Sequence, residues 1–135
     1  IPNKSIAVIG HAYGNKDTND KFISPKIKSF LDQNITKFNL IIFSGDVFKN
    51  PSKKKWNKLF KMFGRKVEII IAPGNHDVGF DNIKLRKEFN DSDFSRINFP
   101  YSITRNNLKI IIDDSTFLSS FFFPSPTAFS KFRVS

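Results

Sequence analysis

Polar residues suited to metal binding and hydrolysis follow three apolar segments of this sequence. His11 follows the first segment, Asp46 the second, and the tetrad Gly74-Asn75-His76-Asp77 the third, and a glycine opens each group. The chain contains no cysteine, so any metal ligands must be nitrogen or oxygen. Imidazole, carboxylate and amide groups together suit Mn, Fe or Zn in a hydrolytic site.

The three apolar segments are predicted strands of one largely parallel sheet. They span residues 5–9, 39–44 and 67–72, with amphipathic stretches between them. The strand–helix–strand order predicts right-handed crossovers, and continuous apolar strands fit a sheet buried on both faces. The carboxyl ends of such strands meet at one edge, where ligands bind. We therefore expect His11, Asp46 and Asn75 at that edge, and residues 108–113 as a further strand of the same sheet.

Capping residues and apolar spacing predict three helices and a hairpin. Ser24-Pro25 is typical of a helix start, and Ser52 is a candidate cap for a second helix with Trp56 in the core. A short helix is expected over residues 81–89. Two further apolar stretches within residues 101–113, joined by polar residues, predict a β-hairpin.

The composition indicates one globular domain and gives little support for a nucleic-acid partner. The 135 residues include 22 Lys+Arg and 12 Asp+Glu, which gives a net charge of +10. Lysine outnumbers arginine 17 to 5, whereas base and phosphate recognition favours arginine. No apolar run approaches the roughly 20 residues that cross a bilayer. We therefore expect neither nucleic-acid binding nor a transmembrane segment; the oligomeric state stays open.

The second and third polar groups resemble the motifs of the calcineurin-like metallophosphoesterases. In that superfamily a strand ending in Gly-Asp precedes a strand ending in Gly-Asn-His-Asp/Glu. Here Gly45-Asp46 and Gly74-Asn75-His76-Asp77 supply both, and their glycines are 29 positions apart. The resemblance implies an α/β fold with helices around a central β-sheet, corresponding to the N-terminal half of an α/β/β/α sandwich.

The resemblance also implies an activity and roles for individual residues. The activity is hydrolysis of phosphate esters by a dinuclear centre, with two divalent ions (Mn, Fe or Zn) in the complete protein. Asp46 would bridge the metals, and Asn75 would ligate one of them. His76 would contact the phosphoryl group or protonate the leaving oxygen. The substrate could be a monoester, a diester or a nucleotide.

Two departures from the family pattern weaken the expected site. The usual first motif, Asp-x-His-Gly, aligns with His11-Ala12-Tyr13-Gly14, so His11 would replace a ligand and Tyr13 would stand where a histidine is usual. The family's later histidines have no counterpart, because His11 and His76 are the only histidines in the chain. We therefore expect the chain to be part of a longer protein.

Each candidate residue also has a structural alternative. Asp46 could be a turn or cap residue, the Gly74–Asp77 tetrad a plain turn, and His11 an ordinary loop histidine. Tyr13 is better explained by packing. The corresponding functional alternative is a catalytically inactive, metallophosphatase-like binding domain with a degenerate metal site.

The resemblance extends from about residue 6 to residue 115, and we expect residues 1–135 to form a single, C-terminally incomplete domain. Residues 116–135 have no clear period and are expected to be poorly specified. The given sequence has no signal segment at its beginning, which slightly favours a cytoplasmic location.

Overall fold

The computed structural model of the chain describes residues 4–15, 21–79, 82–94, 99–114 and 130–134. Strands and helices alternate in the first part of the chain, and a group of strands follows. The strands are β1 (Ser5–Ile9), β2 (Phe38–Phe43), β3 (Glu68–Ile71), β4 (Tyr101–Arg105), β5 (Leu108–Asp114) and β6 (Ser130–Val134). The helices are α1 (Pro25–Asn34), α2 (Lys53–Leu59), α3 (Asn75–Val78) and α4 (Ile83–Asn90).

The first three strands form the predicted parallel sheet in the order β1-β2-β3. Ile9 pairs with Phe43, and Phe43 pairs with Ile71, so the three strands end at nearly the same level. Helices α1 and α2 provide the crossovers between consecutive strands. The mixed α/β architecture predicted from the sequence is therefore confirmed, and the segments after the three strands leave the same edge.

The prediction that residues 108–113 belong to this sheet is wrong. They form β5, which pairs antiparallel with β4 and β6 in a second sheet. The hairpin itself is confirmed, with Asn106 and Asn107 at positive φ in its turn. An apolar run alone does not specify its partner strand, and here β5 buries Ile110 and Ile112 against the face of the first sheet.

Strand β2 separates two hydrophobic clusters. Its alternate residues Leu40 and Ile42 pack toward the hairpin, while Ile41 and Phe43 pack toward the helices. The helix-side cluster is the larger one and includes Leu31, Ile71, Trp56, Leu59, Phe63 and Phe89. Trp56 is fully buried, as the sequence predicted.

Strand β1 is less buried than its apolar sequence predicted. Val8 is 46% exposed and Ser5 is exposed, because β1 lies at one end of the β1-β2-β3 order. Among the described residues, β2 alone pairs with it. The expectation that all three strands are buried on both faces therefore fails for β1.

Capping side chains are seen at the starts of α2 and α4. At α1, Ser24 occupies the N-cap position before Pro25, but its side chain makes no capping hydrogen bond. At α2, the Ser52 hydroxyl accepts a hydrogen bond from the Lys55 amide. A π-helical turn, Phe60–Gly64, continues from α2. The third predicted helix appears as α4, which Asn82 caps through the Leu85 amide.

The expectation of a single, C-terminally incomplete domain with a poorly specified end stays a prediction, because residues 115–129 and 135 lie outside the described residues. Ser130–Val134 forms β6, a strand that the sequence pattern did not predict. None of the described helices has the length and apolarity needed to span a membrane.

Candidate metal centre

The segments that follow β1, β2 and β3 meet at one edge of the parallel sheet. The His11 amide donates a hydrogen bond to the Gly45 carbonyl at 3.1 Å, which joins the first two segments. The His76 amide donates to Asp46 Oδ1 at 3.3 Å, which joins the second to the third. Asn75 lies between Gly74 and His76, so the predicted convergence of His11, Asp46 and Asn75 at this edge is observed.

Asp46 sits at the centre of this edge in a left-handed backbone conformation. Its φ is 54°, and Gly45 before it has a φ of 108°. Aspartate tolerates this region better than most residues, but the conformation still needs support from its surroundings. The Asp46 side chain is 26% exposed, so its carboxylate is accessible from one side.

Gly74 allows the close approach of the second and third segments. A Cβ atom at this position would lie 2.6 Å from Asp46 Oδ1 and 2.8 Å from the Asp46 backbone nitrogen. Such distances are far below van der Waals contact, so any larger residue would displace Asp46. The glycine of the tetrad is thus explained by packing against the carboxylate that the sequence singled out.

His11 lies near the other oxygen of the Asp46 carboxylate. Its Nδ1 is 3.8 Å from Asp46 Oδ2, and its side chain is 56% exposed. His11 also has a positive φ, 53°, directly after Gly10. A solvent-facing imidazole beside a half-buried carboxylate is a pair of donors suited to a divalent cation.

The Tyr13 ring lies between the two histidines. Its centroid is 4.2 Å from that of His11 and 5.9 Å from that of His76. Partial burial, followed by the charges of Asp46 and Asp77, raises the pKa of the Tyr13 phenol. The ring contacts with both histidines fit the packing interpretation of Tyr13.

Asp77 belongs to the Gly74–Asp77 tetrad predicted at this edge, but the sequence did not reveal its buried role. Its carboxylate is fully buried and accepts hydrogen bonds from four backbone amides. Oδ2 accepts from Asp46 and Gly74 at 2.7 and 2.8 Å, and Oδ1 accepts from Val47 and Phe48 at 2.8 and 3.4 Å.

Burial raises the pKa of Asp77, and the Asp46 charge adds to this effect, while the hydrogen bonds from Gly74, Val47 and Phe48 lower the pKa because they favour the ionised carboxylate. The one available sequence signal was its place at the third position of α3, after Gly74 as N-cap, where an acidic side chain often reaches back to the cap amide.

The donor atoms of the residues at this edge are of types that bind divalent cations. Asp46 and His11 offer an oxygen and a nitrogen on facing groups, and Asn75 begins the adjacent helix α3. Asp77 is not available as a ligand, because backbone amides surround both of its oxygens. Within the described ranges, no group of three or more His, Cys, Asp or Glu side chains is placed to hold a metal ion.

The chain matches a family model over most of its length. The family model for the calcineurin-like phosphoesterases covers residues 5–126, which is most of the chain. Curated proteins and solved structures give no match. The matched range includes all three segments of the candidate metal centre. On the strength of that match and of the α/β architecture, the chain belongs to the calcineurin-like phosphoesterase family.

Proposed function

We propose that the protein is a metal-dependent phosphoesterase that hydrolyses phosphate esters at the edge formed by the segments after β1, β2 and β3. The observation that carries this proposal is the position of Asp46. Its carboxylate is held between the His11 imidazole and the His76 amide, at the ligand-binding edge of a parallel sheet. Family membership supports the reaction class and leaves the substrate open.

In this proposal Asp46, His11 and Asn75 hold the metal. Asp46 would carry the negative charge that keeps two divalent ions (Mn, Fe or Zn) close together in the complete protein. When bound, such ions polarise a phosphoryl oxygen and make water a better nucleophile near neutral pH. The described residues supply part of such a ligand set, and further ligands would have to come from elsewhere in the protein.

His76 is the proposed catalytic residue. The residue is exposed, its backbone amide donates to Asp46 Oδ1, and its ring centroid is 5.9 Å from that of Tyr13, so His76 is close to Asp46 and open to solvent. From there it can contact the phosphoryl group or donate a proton to the leaving oxygen. The substrate is a phosphate ester, and monoesters, diesters and nucleotides all remain candidates.

Asp46→Asn is the experiment that tests this function, because it keeps the shape of the side chain and removes its charge. In the protein expressed from its complete gene, we expect Mn²⁺ to raise the melting temperature of the wild type but not of the variant. The melting temperature of the metal-free protein should stay the same or rise slightly, since a half-buried anion is lost.

The matched control is Asp32→Asn, which changes an exposed carboxylate that pairs with Lys28 on α1. Its response to Mn²⁺ should equal that of the wild type. If Asp46 is only a turn residue, Asp46→Asn should change the stability little, because asparagine suits caps and left-handed turns as well as aspartate does, and it should keep its full response to Mn²⁺. That result would contradict the proposed function.

A second candidate function is a catalytically inactive binding domain with a degenerate metal site. The observation in its favour is the position of Tyr13, whose ring lies beside those of both histidines and which stands where the family motif has a histidine. Metal analysis of the purified protein separates the two candidates. Stoichiometric divalent metal together with chelator-sensitive hydrolysis of an aryl phosphate supports the enzyme.

A further inference from the structure

We infer that Asp77 is the positioning residue of the candidate metal centre: its buried carboxylate holds the Asp46–Phe48 segment so that the Asp46 side chain faces the proposed metal. The hydrogen bonds that hold this segment are seen among the described residues. The expected effect on metal binding rests on the proposed function. Asp77 itself touches neither substrate nor metal, because its oxygens face the backbone amides of its own molecule.

The backbone after β2 forms a concave group of amides that needs an acceptor. Asp46, Val47 and Phe48 all direct their N–H groups at the same carboxylate, and Asp46 has the positive φ that turns these amides inward. Successive amides arranged in this way form an anion-binding concavity. Val47 and Phe48 are fully buried, so no solvent contact could replace the Asp77 acceptor.

The same carboxylate ties together two segments of the site. Oδ2 accepts from Gly74 on the β3 side and from Asp46 on the β2 side, at 2.8 and 2.7 Å. Asp77 therefore fixes the distance between these segments, while the missing side chain of Gly74 lets them touch. The orientation of the Asp46 carboxylate follows from a backbone that Asp77 holds.

An amide in place of the carboxylate cannot perform this role. Four N–H groups converge on Asp77, and an asparagine side chain has one acceptor oxygen and one NH₂ group that is itself a donor. Asp77→Asn would place two donors against each other in a buried space. Residues that orient metal ligands typically change metal affinity by about 10–100-fold when they are mutated.

The test combines a measurement on the wild type with two variants and one control variant, all in the protein expressed from its complete gene. In isotope-labelled wild-type protein, NMR scalar couplings across hydrogen bonds should connect the amides of Asp46, Val47 and Gly74 to the Asp77 carboxyl carbon. Their absence would overturn the inference, and this measurement does not depend on whether a variant folds.

Mn²⁺ binding by calorimetry then measures the consequence. We expect Asp77→Asn to bind Mn²⁺ at least about tenfold more weakly than wild type. Asp77→Glu, which retains a carboxylate, should bind more tightly than Asp77→Asn. Asp32→Asn on α1 is the matched control and should bind like wild type. Equal Mn²⁺ affinity in wild type and Asp77→Asn, or weaker binding by Asp77→Glu than by Asp77→Asn, would overturn the inference.

The two proposals fail in different ways. A wild-type protein that binds no Mn²⁺ counts against the proposed function. The hydrogen-bond couplings test the contacts of Asp77 independently of metal binding. A purely structural Asp77 would lower the melting temperature of Asp77→Asn and leave the Mn²⁺ affinity of the folded protein unchanged.

Discussion

At the scale of single residues, the close packing of Gly74 against Asp46 is the feature on which the site geometry most visibly depends. Gly74→Ala would place a Cβ atom 2.6 Å from Asp46 Oδ1 and 2.8 Å from the Asp46 nitrogen. We expect a loss of about 1–3 kcal/mol in the free energy of unfolding, since backbone on both sides must move. Urea denaturation followed by circular dichroism measures this loss.

Gly10→Ala is the matched control for that prediction. Its Cβ would meet only the Ser44 hydroxyl oxygen, at 3.1 Å, and that side chain can rotate away. We expect a change of less than about 1 kcal/mol in either direction. A Gly74→Ala variant as stable as Gly10→Ala would show that Asp46 is free to move, contrary to its packing in the structure.

Sequence reasoning located His11, Asp46 and Asn75 because each follows a predicted strand, and strand ends of a parallel sheet share an edge. It did not identify the contacts of Asp77. Four backbone amides donate hydrogen bonds to Asp77, and all but the Gly74 amide lie about 30 positions earlier in the chain. The convergence of these amides depends on a positive φ at Asp46. Neither feature leaves a local pattern in the sequence.

At the scale of elements, Trp56 joins α2 to its neighbours. Its ring makes edge-on contacts with Phe48 at 4.7 Å and with Phe89 at 5.1 Å between centroids. Phe48 follows Asp46 by two residues, so this aromatic cluster supports the segment after β2 from the helix side. The indole Nε1 is buried and has no hydrogen-bond partner among the described residues.

These contacts predict different effects for two substitutions of Trp56. Trp56→Ala should cost about 3–5 kcal/mol of stability, because it leaves a large cavity. Trp56→Phe should cost less than about 1.5 kcal/mol, since it keeps an aromatic ring and removes the unpaired N–H. Urea denaturation followed by circular dichroism measures both, and equal costs would contradict the contribution of aromatic packing with Phe48 and Phe89.

The sequence predicted β1 to β3, the parallel direction of these strands and the helices between them, because apolar runs and amphipathic periods mark these elements. It placed β5 in the wrong sheet, since the apolar run 108–113 carries no information about which strand it pairs with. It also missed α3, which has only 4 residues and is too short to show a helical period.

At the scale of the whole molecule, the ligand set of the candidate metal centre is small. Asp46, His11 and Asn75 are the candidate ligands, and no cluster of three or more His, Cys, Asp or Glu side chains is placed to hold a metal ion in the part of the chain that the structure describes. Because metal affinity depends on ligand number and on support around the ligands, we expect residues 1–135 alone to bind Mn²⁺ or Zn²⁺ weakly.

The corresponding activity should also be low. We expect residues 1–135 alone to hydrolyse a generic aryl phosphate poorly or not at all in the presence of Mn²⁺. Colorimetric assays with and without chelator provide the measurement. Robust, chelator-sensitive turnover from this chain alone would show that fewer ligands suffice than the family pattern implies.

The position of β2 between the two hydrophobic clusters has a consequence for how the molecule unfolds. Its residues alternate between the hairpin side and the helix side, so β2 contributes to both hydrophobic clusters. If one cluster loses its packing, β2 loses support and the other cluster is weakened as well. Folding should therefore be a single cooperative transition.

Trp56, the only tryptophan, reports on the helix side, and its fluorescence should share a urea midpoint with circular dichroism. Ile110→Val, a change on the hairpin side worth about 0.5–1.5 kcal/mol, should shift both midpoints equally. Separate midpoints would divide the molecule into two independent folding units along β2.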